Sequence, residues 1–235
     1  MTDYTNVLGQ PVGHPLPDWR PRPQPPRTVM AGRFCRLEPL DPDRHADDLF
    51  TANSTTTDAR SWTYLPYGPF ESRAAYSAWM LASGLGQDPL FHAIIDAQTQ
   101  RATGVASYLR ISPADGVIEV GHINYSPLLQ RTAAATEAMY LMMARVFDEM
   151  GYRRYEWKCD TLNAPSRAAA RRLGFRFEGI FRNATVYKGR NRDTAWFAMT
   201  DADWPRIKAA FAAWLAPGNF DEAGRQRTAL ATPGQ

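Results

Sequence analysis

Residues 119 to 137 read E-V-G-H-I-N-Y-S-P-L-L-Q-R-T-A-A-A-T-E. A strand-like run ends at Tyr125, a short loop follows, and a long helix opens on the small residues 132–136. Small side chains let backbone N–H groups approach a ligand closely, and a helix N-terminus offers unpaired donors and the positive end of its dipole. The chemistry such a junction serves is phosphate binding. Every helix has such an end, so the spacing alone does not assign it. Glu119 stands on the same strand as His122, whose side-chain type titrates near neutral pH. A second polar pair, Asn163 and Ser166, stands where a later helix should begin, and both types commonly cap helices. The loop S-W-T-Y-L-P-Y-G-P-F, residues 61–70, gathers Trp62, Tyr64, Tyr67 and Phe70, which suit either a core or a pocket wall. Cys35 and Cys159 are too few for a disulfide framework or a four-cysteine metal site. Neither has a neighbour that would make it a nucleophile, so both read as free thiols of a reducing cytoplasm, and no metal is expected.

The elements that must position these residues follow from periodicity. Residues 34–39 alternate as a half-buried strand, and Asp41 or Asp43 can cap a helix carrying His45, Leu49 and Phe50. A second helix is expected over residues 71–85, then strands over 90–95, 103–111 and 117–125 with turn residues between them. Residues 132–150 carry the longest helical pattern, a core-facing stripe of Met139, Met142, Val146 and Met150 that stops at Gly151. A strand over 152–160, a helix from Asn163 to Gly174 and strands over 175–187 and 194–199 follow, the last two joined by the turn K-G-R-N-R-D. A final helix covers 202–215. The order implies a mixed sheet with helices on both faces, and the late strand–helix–strand unit implies a parallel pair. In open α/β sheets, ligands favour the carboxyl ends of such strands.

The 235 residues hold 27 Lys and Arg against 24 Asp and Glu, scattered along the chain. A phosphate-backbone binder concentrates its basic residues, so nucleic acid is not the expected partner. The most apolar stretch, residues 133–147, is interrupted by Glu137 and Arg145 and is too short to span a membrane. The first residues lack a basic segment followed by an apolar one, so no secretion signal is indicated and the expected location is cytoplasmic. Seven of the 18 prolines lie between Pro11 and Pro26, which excludes helix and central strand there. That segment is either a disordered leader or an extended strap carrying Val12, Leu16 and Trp19.

Two motifs together resemble the GCN5-related N-acetyltransferases. Gln130, Ala133 and Ala135 fill the places of the family's Q/R-x-x-G-x-G/A loop, with alanine at 133 where glycine is usual. The segment from E-W-K-C-D through N-A-P-S-R-A-A-A-R-R-L-G-F is similar to the ribosomal-protein N-terminal acetyltransferase branch, with Asn163, Ser166, Leu173, Gly174 and Phe175 in order. The resemblance implies one α/β (mixed-sheet, α+β) domain over residues 32–216, mostly antiparallel with a parallel pair splayed around the cofactor. A proline-rich segment, 1–31, precedes it and a polar tail, 217–235, follows. It implies acetyl-CoA as co-substrate, held by Ile123, Asn124, Gln130, Arg131, Thr132, Ala133, Ala134, Ala135, Thr136, Asn163 and Ser166. It also implies transfer to a primary amine of an amino acid, a small amine or a peptide N-terminus. Glu119 is the implied general base, on the strand face of Gly121 and Ile123 and opposite His122, which is its rival. Ser166 is the implied partner of the leaving sulfur, because the position where many relatives hold a tyrosine is Ala170; Tyr187 is a further candidate acid. The backbone amides of Ile123 and Asn124 would polarise the carbonyl. Trp62, Tyr64, Tyr67 and Phe70 would line the acceptor pocket, and exposed strands at the carboxyl end suit a homodimer. A positive φ at residue 133 would penalise alanine there. Ala133 and the missing tyrosine also keep open an acyl-CoA-binding module without catalysis.

Overall fold

A computed structural model describes residues 4–232. A small hairpin, β1 (Tyr4–Thr5) with β2 (Pro11–Val12), lies outside the main sheet. The chain then enters the sheet through β3 (Met30–Ala31) and β4 (Cys35–Pro39). Asp41 caps α1 (Pro42–Asn53) by accepting from the Asp43 amide, with proline in the first turn where its missing N–H costs nothing. A short 3₁₀ turn, Ala59–Trp62, leads to α2 (Arg73–Trp79), which continues through a wider turn, Met80–Gly84. β5 (Leu90–Asp96), β6 (Ala102–Ser112) and β7 (Val117–Tyr125) form an antiparallel meander. Then come α3 (Ala133–Ala144) with its wider last turn Arg145–Glu149, β8 (Arg154–Asp160), α4 (Ala164–Arg172), β9 (Arg176–Tyr187), β10 (Arg190–Thr200) and α5 (Trp204–Leu215).

The eight-stranded sheet has the order β3-β4-β5-β6-β7-β8-β10-β9. Among the described residues, β7 and β8 are its one parallel pair, as a strand–helix–strand crossover requires. The chain returns through α4 to β9, and β10 then inserts between β9 and β8. Helices cover both faces. On one, α1 and α2 close over Phe91, Ala93, Ile95 and Val105. On the other, α3, α4 and α5 bury a larger core around Tyr108, Tyr155 and Phe197. The methionine stripe of α3 faces that core, with Met139, Met142 and Met143 buried.

One segment differs from the sequence reading. Residues 190–193, expected as turn, belong to β10, and the turn is confined to Lys188 and Gly189. The outer end of this hairpin stands clear of both cores, so polar residues are stable in strand conformation there. The proline-rich segment is an extended strap: Trp19 Nε1 donates to Ala114 O at 2.7 Å, Tyr152 Oη donates to Pro23 O at 3.0 Å, and Arg145 donates to the carbonyls of Thr28 and Val29. The carboxylate of Glu137 on α3 accepts the amides of Arg33, Phe34 and Cys35 at 2.8, 2.6 and 2.9 Å. A methyl on Gly32 would press on that carboxyl group at 2.5 Å and disturb its three bonds. The tail, polar in composition, seats Phe220 and Leu230 in the core beside Trp214.

Candidate active site

The last rung between β7 and β8 joins Val120 to Trp157. Beyond it the strands part. Residues 121–125 of β7 keep β6 on one side and, among the described residues, have no strand on the other. A cavity of about 450 Å³ opens in the gap, within the range of small-molecule sites. Glu119 and His122 reach it from β7, Lys158 and Asp160 from β8, Ser166 from α4 and Arg192 from β10.

Glu119 lies at its floor, 3% exposed. Lys158 Nζ sits 2.8 Å from Oε2, and Arg110 Nη1 is 2.8 Å from both oxygens. Burial pushes the Glu119 carboxyl upward, against the pull of Lys158 and Arg110. The two cations are unlike each other. The Lys158 side chain is 7% exposed, bridges to Glu156 at 2.7 Å and lies over the Trp196 ring, whereas the Arg110 side chain is 62% exposed.

His122 departs from the alternation expected of β7. Its φ is +50°, and the register with β6 shifts between Gly121 and Asn124. This bulge puts the imidazole in the wall of the same cavity as Glu119, while Ile123 packs towards the α3 core. The expected opposition of His122 to Glu119 is thereby corrected. The ring stacks on Tyr67 with centroids 5.6 Å apart and approaches Phe91 at 5.1 Å. Burial first, then Arg110 and Arg192, push its pKa down to about 4.

The cofactor candidates divide into two groups. Asn124 lies beside the parted edge with both side-chain polar atoms buried and without partners among the described residues, as does the Ser126 hydroxyl. Gln130 Nε2 donates to Tyr125 O at 2.7 Å and braces the loop. The positive φ of the loop, +62°, falls on Arg131 and not on Ala133, the first residue of α3. The expected penalty at Ala133 therefore does not arise. Thr132 caps α3 by accepting from the Ala135 amide at 3.1 Å, leaving the amides of Ala133 and Ala134 outside that cap. Thr136 is buried, and its hydroxyl accepts from Arg172 at 3.1 Å. Across the gap, Asn163 caps α4 by accepting from the Ser166 amide. Ser166 Oγ accepts from Trp157 Nε1 at 2.9 Å, so its own proton is left to donate. Burial pushes the Cys159 thiol up, and hydrogen bonding to Ser166 works against that shift. An open strand edge with an orphaned amide side chain, followed along the chain by a helix start with two uncapped amides, suits an extended amide-bearing chain ending in phosphates.

Of the four aromatic candidates, Tyr64 lines the cavity and its hydroxyl donates to Leu162 O. Trp62, Tyr67 and Phe70 pack instead into the α1–α2 core. Tyr187 lines the cavity and donates to Asp160 Oδ2 at 2.9 Å; burial and that carboxylate push its pKa up to about 12. Lys158, Asp160, Arg110 and Arg192 were not singled out from the sequence. A signal existed for two of them: Glu156, Lys158 and Asp160 alternate with the apolar Trp157 and Cys159.

Comparison with known proteins agrees with this fold. Residues 35–176 match the model of the acetyltransferase (GNAT) domain. No curated protein matches. Among solved structures, a GCN5-related N-acetyltransferase from Brucella melitensis is 51% identical, with a TM-score of 0.89 over 92% of this chain and 97% of its own. A probable acetyltransferase of the GNAT family from Chromobacterium violaceum is 42% identical, with a TM-score of 0.77 over 83% of this chain and 98% of its own. RimL, a ribosomal L7/L12 α-N-protein acetyltransferase, is 19% identical with a TM-score of 0.62 over 73% of this chain and 93% of its own, a likeness of fold alone. With the family model covering more than half the chain and a full-length relative at half identity, the chain belongs to the GCN5-related N-acetyltransferase family.

Proposed function

We propose that the protein transfers an acetyl group from acetyl-CoA to a primary amine held in the cavity between β7 and β8. The observation that carries this reading is the parting of those strands after Val120 and Trp157, with a buried carboxylate at the base of the gap. Acetyl-CoA, when bound, supplies an activated acyl carbon. The open edge of residues 121–125, the side chain of Asn124 and the first turn of α3 at Ala133 and Ala134 would hold it, with Asn163 and Ser166 on the opposite wall.

The acceptor arrives as an ammonium and must give up a proton. In this reading Glu119 takes it. Arg110 caps Glu119 from an arm whose side chain is itself 62% exposed, so it can swing out into solvent. An incoming ammonium replaces that arm, while buried Lys158 stays and keeps the carboxylate oriented. The upward pull of burial on Glu119 brings it nearer the basicity a proton acceptor needs. His122 is neutral at pH 7, and with its pKa near 4 it orients the amine better than it deprotonates it. Ser166, whose hydroxyl accepts from Trp157 and keeps a proton to donate, would serve the leaving sulfur. The domain limits of 32–216 suit this reading, because every residue named here lies within them.

The test is release of free thiol on mixing acetyl-CoA with a panel of amino acids, dipeptides and aryl amines. Glu119→Gln should lower kcat by about 100-fold, a size usual for general bases, with CoA affinity kept. Unchanged turnover in that variant moves the proton to His122 or to water.

A further inference from the structure

The charges lining the cavity are not balanced. Arg110 and Lys158 both serve Glu119, and Asp160 accepts from two neutral donors, the Leu162 amide and the Tyr187 hydroxyl. Arg192, half-buried on β10, remains. Its Nε donates to Thr194 Oγ1 at 3.1 Å and its guanidinium lies 5.9 Å from the Tyr187 ring centroid. No carboxylate lies within 4.0 Å of it among the described residues. Its charge is felt on both walls, pulling down the protonation of His122 on β7 and of Cys159 on β8. The two outer nitrogens of the fork are therefore free where the strands part.

We infer that Arg192 is the anion subsite of the acceptor pocket, and that the acceptor is a small amine carrying a carboxylate, the chemistry of a free amino acid. This rests on the function proposed above and narrows its substrate. A planar fork with two free nitrogens matches a carboxylate in two parallel hydrogen bonds. The Nε bond to Thr194 and the contact with Tyr187 fix the fork beforehand, so little order is lost on binding. With the ammonium on Glu119 and the carboxylate on Arg192, the acceptor's two charges find opposite partners across one cavity. A polyamine, cationic throughout, is repelled by Arg192.

The experiment compares each amino acid with its carboxamide, in the wild type and in Arg192→Gln and Arg192→Lys. Wild type should favour the acid by roughly 10- to 100-fold in kcat/KM, mostly through KM, the range expected for a charged bidentate pair. Arg192→Gln should collapse that ratio towards one, and Arg192→Lys, which keeps the charge without the fork, should recover part of it. Equal use of acid and amide by the wild type overturns the inference, as does a ratio that survives in Arg192→Gln. So does a weakened CoA Kd in Arg192→Gln that accounts for the whole loss, since the anion met would then be the cofactor's. Efficient transfer to peptide N-termini with no dependence on Arg192 also overturns it. If no amine at all is acetylated, the proposed function fails, which is a separate result.

Discussion

His92 is enclosed in the sheet with neither ring nitrogen bonded to a side chain, and its ring meets Tyr108 edge-on at 5.6 Å. Burial, helped by Arg145 and Arg27, pushes its pKa down to about 3, as burial pushes His122 to about 4. Both imidazoles fold neutral, whereas the unfolded chain takes up these protons near pH 6.5. Stability from these two groups is complete above about 6.5 and falls as the pH drops towards 3–4. At about 1.4 kcal/mol per pH unit, His92 alone accounts for on the order of 4 kcal/mol at the bottom of that window. Urea midpoints at pH 7 and pH 4.5 should therefore differ more for wild type than for His92→Leu. An equal difference in both would place the acid sensitivity elsewhere. The same desolvation acts on Glu119, but there Lys158 and Arg110 oppose it, which keeps a usable carboxylate where an unpaired one would be protonated.

At the scale of elements, the proposed acceptor side includes a joint between the β9–β10 hairpin and the aromatic loop. Lys188, at the hairpin turn with φ +48°, donates from Nζ to Trp62 O at 2.8 Å and Gly68 O at 3.0 Å. Lys188→Met should free loop 61–70 and raise the acceptor KM several-fold, with CoA affinity unmoved; titration of both ligands checks it. This joint was not legible in the sequence, because R-N-R-D carries no apolar alternation and reads as turn. The buried elements were legible. The bounds 117–125 match β7 as it stands, and Thr132 and Asn163 were visible as helix starts. The bulge at His122 was not, since alternation assumes an unbroken ladder and nothing in G-H-I-N announces the extra residue. The motifs thus marked the proposed cofactor side, where local sequence sets the loop and caps. The proposed acceptor side draws on Arg110, Lys158 and Arg192, side chains about 80 positions apart at their extremes, whose meeting depends on topology.

Across the whole molecule, the strap acts as a brace around the turn between β6 and β7. Trp19 lies against Gly116, between Arg22 at 4.5 Å and Arg153 at 5.7 Å, and holds Ala114 by its indole N–H. Trp19→Ala should cost about 1–3 kcal/mol, as loss of a packed, hydrogen-bonded aromatic does, and this is readable as a lowered Tm at unchanged kcat. No described helix is long and apolar enough to cross a membrane. The insertion of β10 between β8 and β9 has a consequence for synthesis. A chain released only as far as Tyr187 has β8 with an open edge and β9 with no neighbour. Arg192, Thr194 and Trp196, which complete the cavity wall, come last among its lining residues. The nascent protein can close its α1–α2 core early, yet its cavity is walled in only when its final strand threads into place.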